Sequence, residues 1–184
     1  AGNHDCAVVG RPDLEYFNVF ARDAVVWTRT RLSPTDKSFL RDLPLTLKLN
    51  GMTVAHATLH KPEMFGYIES DHSARLSFGA LEEALAFVGH SHVPVSFFYE
   101  QEKNEVLYTK DRDVPLGDSV KAIVNVGSVG QPRDDDSRAC YVVYDAELHH
   151  VSFRRIPYDI EGAKRKILKA GLPEVLAIRL LLGR

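Results

Sequence analysis

The sequence predicts an α/β fold in which two β-sheets pack together and helices flank them. Three observations predict it. Strand-like segments outnumber helical ones. Several consecutive strands are joined by short turns, which argues against an all-parallel sheet. Amphipathic helical segments fall at both ends and in the middle of the chain, where they can cover sheet faces.

The elements follow in order. Residues 17–32 read as a helix, because Phe17, Phe20, Ala24 and Trp27 recur at steps of three and four and make one apolar face. Ser33-Pro34 supplies an N-cap with proline at the first helical position and opens a short helix to about Leu43. LTLKLNGMTVAH reads as two strands around Asn50-Gly51, a strong hairpin turn. Residues 74–86 carry a helical pattern ending in ALEEALA, and AFVGHSH is a short buried strand running into a loop. VPVSFFYE and EVLYTK pair as a second hairpin across Lys103-Asn104. KAIVNVGSVG is a strand entering a glycine turn, and ACYVVYD with HHVSFRRI makes a third hairpin. Asp159 caps a helix that ends near Gly171, and a last short helix runs from Pro173 to about Leu182.

Composition narrows the function. With 184 residues, 45% hydrophobic and 26% charged, the chain fits one domain, 1–184, with a real core. A formal charge of −2 gives no electrostatic case for a nucleic-acid polymer or an anionic membrane surface. No apolar run approaches the roughly 18 residues of a membrane span. Cys6, in the GNHD loop, and Cys140, in an apolar strand, read as reduced thiols, so a cytoplasmic location is expected.

Four places put metal-ligand residue types at the ends of apolar strands. They are Asn3-His4-Asp5, His56 after MTVA, His90 and His92 in FVGHSHV, and the NVGSVGQPRD turn. A ligand loop is held still by the strand it ends, yet only Ala1 precedes GNHD, so that strand is expected before residue 1. In GHSH the imidazoles are two apart, which in an extended segment directs both to one side. They can bind one metal together or one each of two adjacent metals. Each signal also has a structural reading: Asn-His-Asp is common turn chemistry, and a lone histidine after a strand is commonly a core or surface residue. His72 reads as an ordinary loop residue, and His149 and His150 as solvent-facing hairpin residues.

The order GNHD, strand-end histidine, GHSH, NVGS resembles the calcineurin-like metallophosphoesterase superfamily. The family's motifs run Asp-x-His, Gly-Asp-x-x-Asp, GNHD or GNHE, a histidine near a glycine, then GHxH. This chain matches the last three, with His56 in VAHATLH followed by Ala57 where a glycine is frequent. NVGSVGQPRDDDSRACYVVYD and AGLPEVLAIRLLLGR are similar to the closing segments of bacterial members. Neither LGDS at 116–119 nor DDDS at 134–137 stands in the right order to replace the first two motifs. The resemblance therefore implies an N-terminally shortened domain, lacking two strand-helix units of roughly 50–60 residues.

The resemblance also implies roles. Two divalent transition-metal ions (Mn, Fe, Zn, Ni or Co) would activate a water for attack on a small phosphodiester or phosphomonoester. Asn3, His56 and His90 would hold one cation, and His92 would be the remaining ligand of the other. His4 would be the general acid, with Asp5 accepting a hydrogen bond from its imidazole and keeping it protonated. His60, Glu63 and Arg133 receive no substrate role. The residues shown are expected to be poorly stable and inactive alone, since a bridged pair of cations needs a further carboxylate. Serine/threonine phosphatases and dinucleoside-polyphosphate hydrolases belong to the same class. A non-catalytic protein-binding scaffold of the same fold is the alternative. A mononuclear zinc protein on His56, His90 and His92 ranks below both, because it leaves GNHD without a role.

Overall fold

The computed structural model describes residues 1–11, 14–117 and 120–184. The helices are α1 (Asn3–Val8), α2 (Val19–Arg31), α3 (Pro34–Asp42), α4 (Asp71–Ala80), α5 (Ile160–Lys169) and α6 (Glu174–Leu182). The strands are β1 (Thr46–Leu49), β2 (Met52–Ala55), β3 (Leu85–Val88), β4 (Val95–Glu100), β5 (Glu105–Thr109), β6 (Asp113–Pro115), β7 (Lys121–Asn125), β8 (Ala139–Asp145) and β9 (His150–Ile156).

These strands make the two sheets that the sequence predicts. The larger has six strands in the order β1-β2-β3-β7-β4-β5, and the smaller has three in the order β6-β9-β8. The three hairpins are antiparallel, as their turns require. At the first, Asn50 and Gly51 take φ of 49° and 76°, the left-handed pair that matches strand twist in a two-residue loop. The centre of the large sheet is different, because β2, β3 and β7 run parallel. Their C-terminal ends therefore lie along one sheet edge, which is where α/β sheets place their ligands.

Alternation along β7 explains the layering. Ile123 packs with Ala86, Phe97 and the α4 residues Ala74 and Phe78 on one face. Ala122 and Val124 point the other way, into Val114, Cys140, Val151 and Phe153 of the small sheet. All of these side chains are buried, and each large one contributes roughly 1.5–3 kcal/mol of burial. A third cluster joins α1 to α2 through Ala7, Val8 and Val25, with Phe17, Leu32 and Leu40 around it.

The caps at Ser33 and Asp159 form as expected, by hydrogen bonds from the N–H groups of Asp36 and Gly162. Four local expectations are corrected. ALEEALA is not the end of a helix: α4 stops at Ala80, and Leu85 onwards is a buried parallel strand between β2 and β7. Pairing on both sides overrides the helical propensity of Ala, Leu and Glu. In α2 the inward residue is Val25, and Phe20 is exposed, because the helix packs on α1 rather than on a sheet. His72 lies in α4, on its exposed side, and not in a loop. GNHD with Cys6 is not a loop either, since Asn3 begins α1. The LGDS segment ends at residues 118 and 119, which lie outside the described residues.

Candidate functional site

Three chain segments meet at the C-terminal edge of the parallel strands. His56 follows β2 directly, the His90 loop follows β3, and Asn3 arrives on the first turn of α1. His56 Nε2 lies 3.1 Å from Asn3 Oδ1 and 3.0 Å from His90 Nδ1. One ring nitrogen carries a single proton, so it can serve both neighbours only by sharing that proton between them. A cation at the centre of the three atoms would satisfy all of them. Metal–donor bonds of about 2.1 Å at right angles put adjacent donors about 3.0 Å apart, so the observed spacing fits. Among the described residues no three His, Cys, Asp or Glu side chains form a cluster that could hold a metal; the converging set is two imidazoles and an amide.

Burial prepares these imidazoles as ligands. It pushes His90 down to about 4, helped by the neighbouring His56, and it pushes His92 down to about 4, helped by Arg133. His56 is also lowered, again chiefly by burial. All three are neutral near pH 7 and offer a lone pair. The His92 Nδ1–H donates to the Gln131 carbonyl at 2.7 Å, which leaves Nε2 free for another partner. His92 thus turns toward the Gln131 turn while His90 faces His56. The expectation of an extended GHSH is corrected, because His90 and His92 take φ of 67° and 63°. Left-handed backbone at two non-glycine residues is strain that the surroundings must hold.

The holding residue is Asn125, at the end of β7 and buried. Its Nδ2 donates to the Gly89 carbonyl at 2.6 Å and to Ser91 Oγ at 2.9 Å, and its Oδ1 accepts from the Gly127 N–H at 3.1 Å. The Gly89 N–H in turn donates to the His56 carbonyl at 2.9 Å. Gly2 serves the site by having no side chain: a Cβ there would lie 2.9 Å from His56 Nδ1.

His4 stands beside Phe17, edge to face at 5.1 Å. The expected His4–Asp5 hydrogen bond is replaced by another: Asp5 Oδ2 accepts the Gly2 N–H at 2.8 Å, the N-terminal bond of α1. Asp5 still raises the His4 pKa through space, but burial outweighs it and the net shift is downward.

Sequence reasoning left Asn125, Tyr67 and Arg133 without roles. Tyr67 stacks on His90 at 4.2 Å with the rings 15° from parallel. The Arg133 N–H donates to the His92 carbonyl at 3.2 Å, and its guanidinium reaches Gln131 Oε1 only at 3.4 Å. Its Nε is buried with no hydrogen-bond partner. After burial, which dominates in each case, the Arg133 charge further lowers His4, His90, His92 and Arg179. The signal for Arg133 was its place in GQPRD; its unbonded Nε appears only in three dimensions. Of the other unassigned residues, Glu63 lines a cavity beside Asn3 and His90, and the His60 N–H is bound by Thr58 Oγ1 at 3.2 Å.

No protein-family model matches the chain. It is 38% identical over 188 aligned residues to the uncharacterized protein MJ0912 of Methanocaldococcus jannaschii, spanning 100% of this chain and 74% of that protein. Among solved structures, a metallophosphoesterase from Sphaerobacter thermophilus is 35% identical with a TM-score of 0.83, over 100% of this chain and 75% of that one. The hypothetical protein PH1004 from Pyrococcus horikoshii OT3 shares the fold at 19% identity, with a TM-score of 0.71 over 100% of this chain and 71% of its own.

Proposed function

The chain belongs to the metallophosphoesterase family, and we propose that its histidine-rich site is metal-dependent and hydrolyses small phosphate mono- or diesters. The likeness to the family supports phosphoester hydrolysis in general. The observation that carries the finer reading is that His56 Nε2 lies 3.1 Å from Asn3 Oδ1 and 3.0 Å from His90 Nδ1. These three would hold one divalent cation, and His92 Nε2 would serve a second. When bound, such cations supply Lewis acidity and an activated water.

The remaining work falls to side chains of this chain. Arg133 takes a non-bridging phosphoryl oxygen, which supplies the anion that its guanidinium lacks. His4 gives a proton to the departing alcohol oxygen. Free His4 is neutral near pH 7 because burial lowers its pKa; the negative ester raises it again on binding. Asn125 positions the loop and touches nothing that reacts.

Elemental mass spectrometry on protein purified without chelator or histidine tag, run beside hydrolysis of phosphate mono- and diesters, tests the proposal. Bound transition metal that falls on His56→Ala, with turnover lost on chelation, is the expected result. Full turnover in chelator would overturn it. Absence of both metal and turnover in a folded protein points to the protein-binding scaffold instead.

A further inference from the structure

Beside the converging donors lies a cavity of about 370 Å³, within the range of small-molecule sites. Asn3, His90 and Glu63 line it with polar groups, and Phe17, Met64, Phe65 and Tyr67 form the rest. We infer that this cavity is a subsite for a flat, uncharged aromatic ring on the alcohol of the substrate, so that the site selects phosphate esters of aromatic alcohols. The inference rests on the phosphoester reading and adds the substrate class.

Four observations carry it. The first is position. Phe17 lines the cavity and also packs on His4, so the cavity adjoins the group that protonates the departing alcohol. The second is shape and exposure. Tyr67 already stacks one face on His90, yet it is 46% exposed, and Met64 is 71% exposed. Apolar surface of this size left open beside a polar site calls for an apolar occupant, and aromatic and methionine side chains favour a ring. The third is charge. Among the described residues the wall offers no lysine or arginine, and its one carboxylate is Glu63. Glu63 disfavours a second phosphate on the alcohol, and no ammonium or guanidinium side chain of the wall offsets it. The fourth is backbone strain. Lys61 and Phe65, which bracket the Pro62–Met64 turn, both have φ of 49°. A bulky aromatic residue in that region is held at a cost, and such strain gathers where a loop must present a surface.

Calorimetric titration of the chain with inorganic phosphate, methyl phosphate, phenyl phosphate and phenol, in manganese-containing buffer, tests the inference. Phenyl phosphate should bind at least about tenfold more tightly than methyl phosphate, the scale of gain an apolar pocket gives. Met64→Ala and Tyr67→Ala should each reduce that ratio severalfold, and Tyr67→Phe, which keeps the ring, should restore it. Met64 is exposed on a turn, so its variant tests the cavity even where the loss of Tyr67 disturbs His90. Equal affinity for the two esters in a protein that binds both overturns the ring subsite and leaves the phosphoester reading standing. Phenol bound in a Tyr67-dependent way, with all phosphates unbound, overturns the phosphoester reading and keeps the ring subsite. Silence from all four probes overturns both.

Discussion

Two arginines meet the turn that follows β7, and they live differently. Arg155, on β9, is deeply placed, with a side chain 8% exposed, and it pairs with Asp134 and Asp136. Arg138 reinforces the second of these carboxylates, donating to both oxygens of Asp136 at 2.9 and 2.6 Å. Arg133 is adjacent to Asp134 in sequence, yet its Nε is buried without a partner, and among the described residues no carboxylate forms a salt bridge with it. A buried charge is costly unless paired. The first arginine brings its anions with it and stabilises the fold. The second stands beside His92 with that need unmet, which suits a residue whose anion arrives as a ligand.

The largest expected effect comes from the paired side. Arg155→Ala leaves Asp134 without its cation and Asp136 with Arg138 alone, and it should lower the unfolding free energy by about 3 kcal/mol, read from urea denaturation. A stability unchanged within error would dissolve the contrast. On the unpaired side, Arg133→Ala should slow ester hydrolysis about 100-fold, roughly 2.7 kcal/mol, while the urea midpoint stays or rises. Loss of stability instead of turnover would make the two arginines alike. A buried neutral group with every bond made should behave as Arg155 does: Asn125→Ala is expected to cost about 2 kcal/mol in the same denaturation and to weaken metal retention. The smallest effect is a matter of pH. The Arg138 hydrogen bond, with Arg155 nearby, holds Asp136 at about 2, below its ordinary 3.8. Its folded pKa is the lower one, so its contribution is present above about pH 4 and is lost as pH falls toward 2. Urea midpoints across that window should fall in the wild type and fall less in Asp136→Asn.

Much of the fold was legible where local chemistry decides. Asn50-Gly51, Ser33-Pro34 and Asp159 each carry the residue type that their turn or cap demands, and each forms as read. What was not legible depends on distant partners. Leu85–Val88 is a strand only because β2 and β7 flank it. The six-residue α1 stands because Arg29, 22 residues away, donates to the Ala7 carbonyl at 3.1 and 2.5 Å. The three-residue β6 exists by pairing with β9. The site divides in the same way. His56, His90 and Asn3 were marked by their motifs, and the structure brings them together. That Asn125 holds the loop, that Tyr67 stacks on His90 and that Arg133 has no ion-pair partner among the described residues are facts of contact, which no spacing in the sequence records.

The parallel centre of the large sheet also sets an order of events. Its three strands donate His56, the Gly89–His92 loop and Asn125, and no hairpin can join such strands. The antiparallel hairpins need only closures of a few residues, whereas the site needs contacts between residues 34 and 53 positions apart. Loop closure makes such contacts slow to form. The donors therefore come together only as the chain completes its fold. A metal ion added to the unfolded chain would meet scattered histidines, so tight binding, where measured, would be a signature of the finished molecule rather than a seed for it.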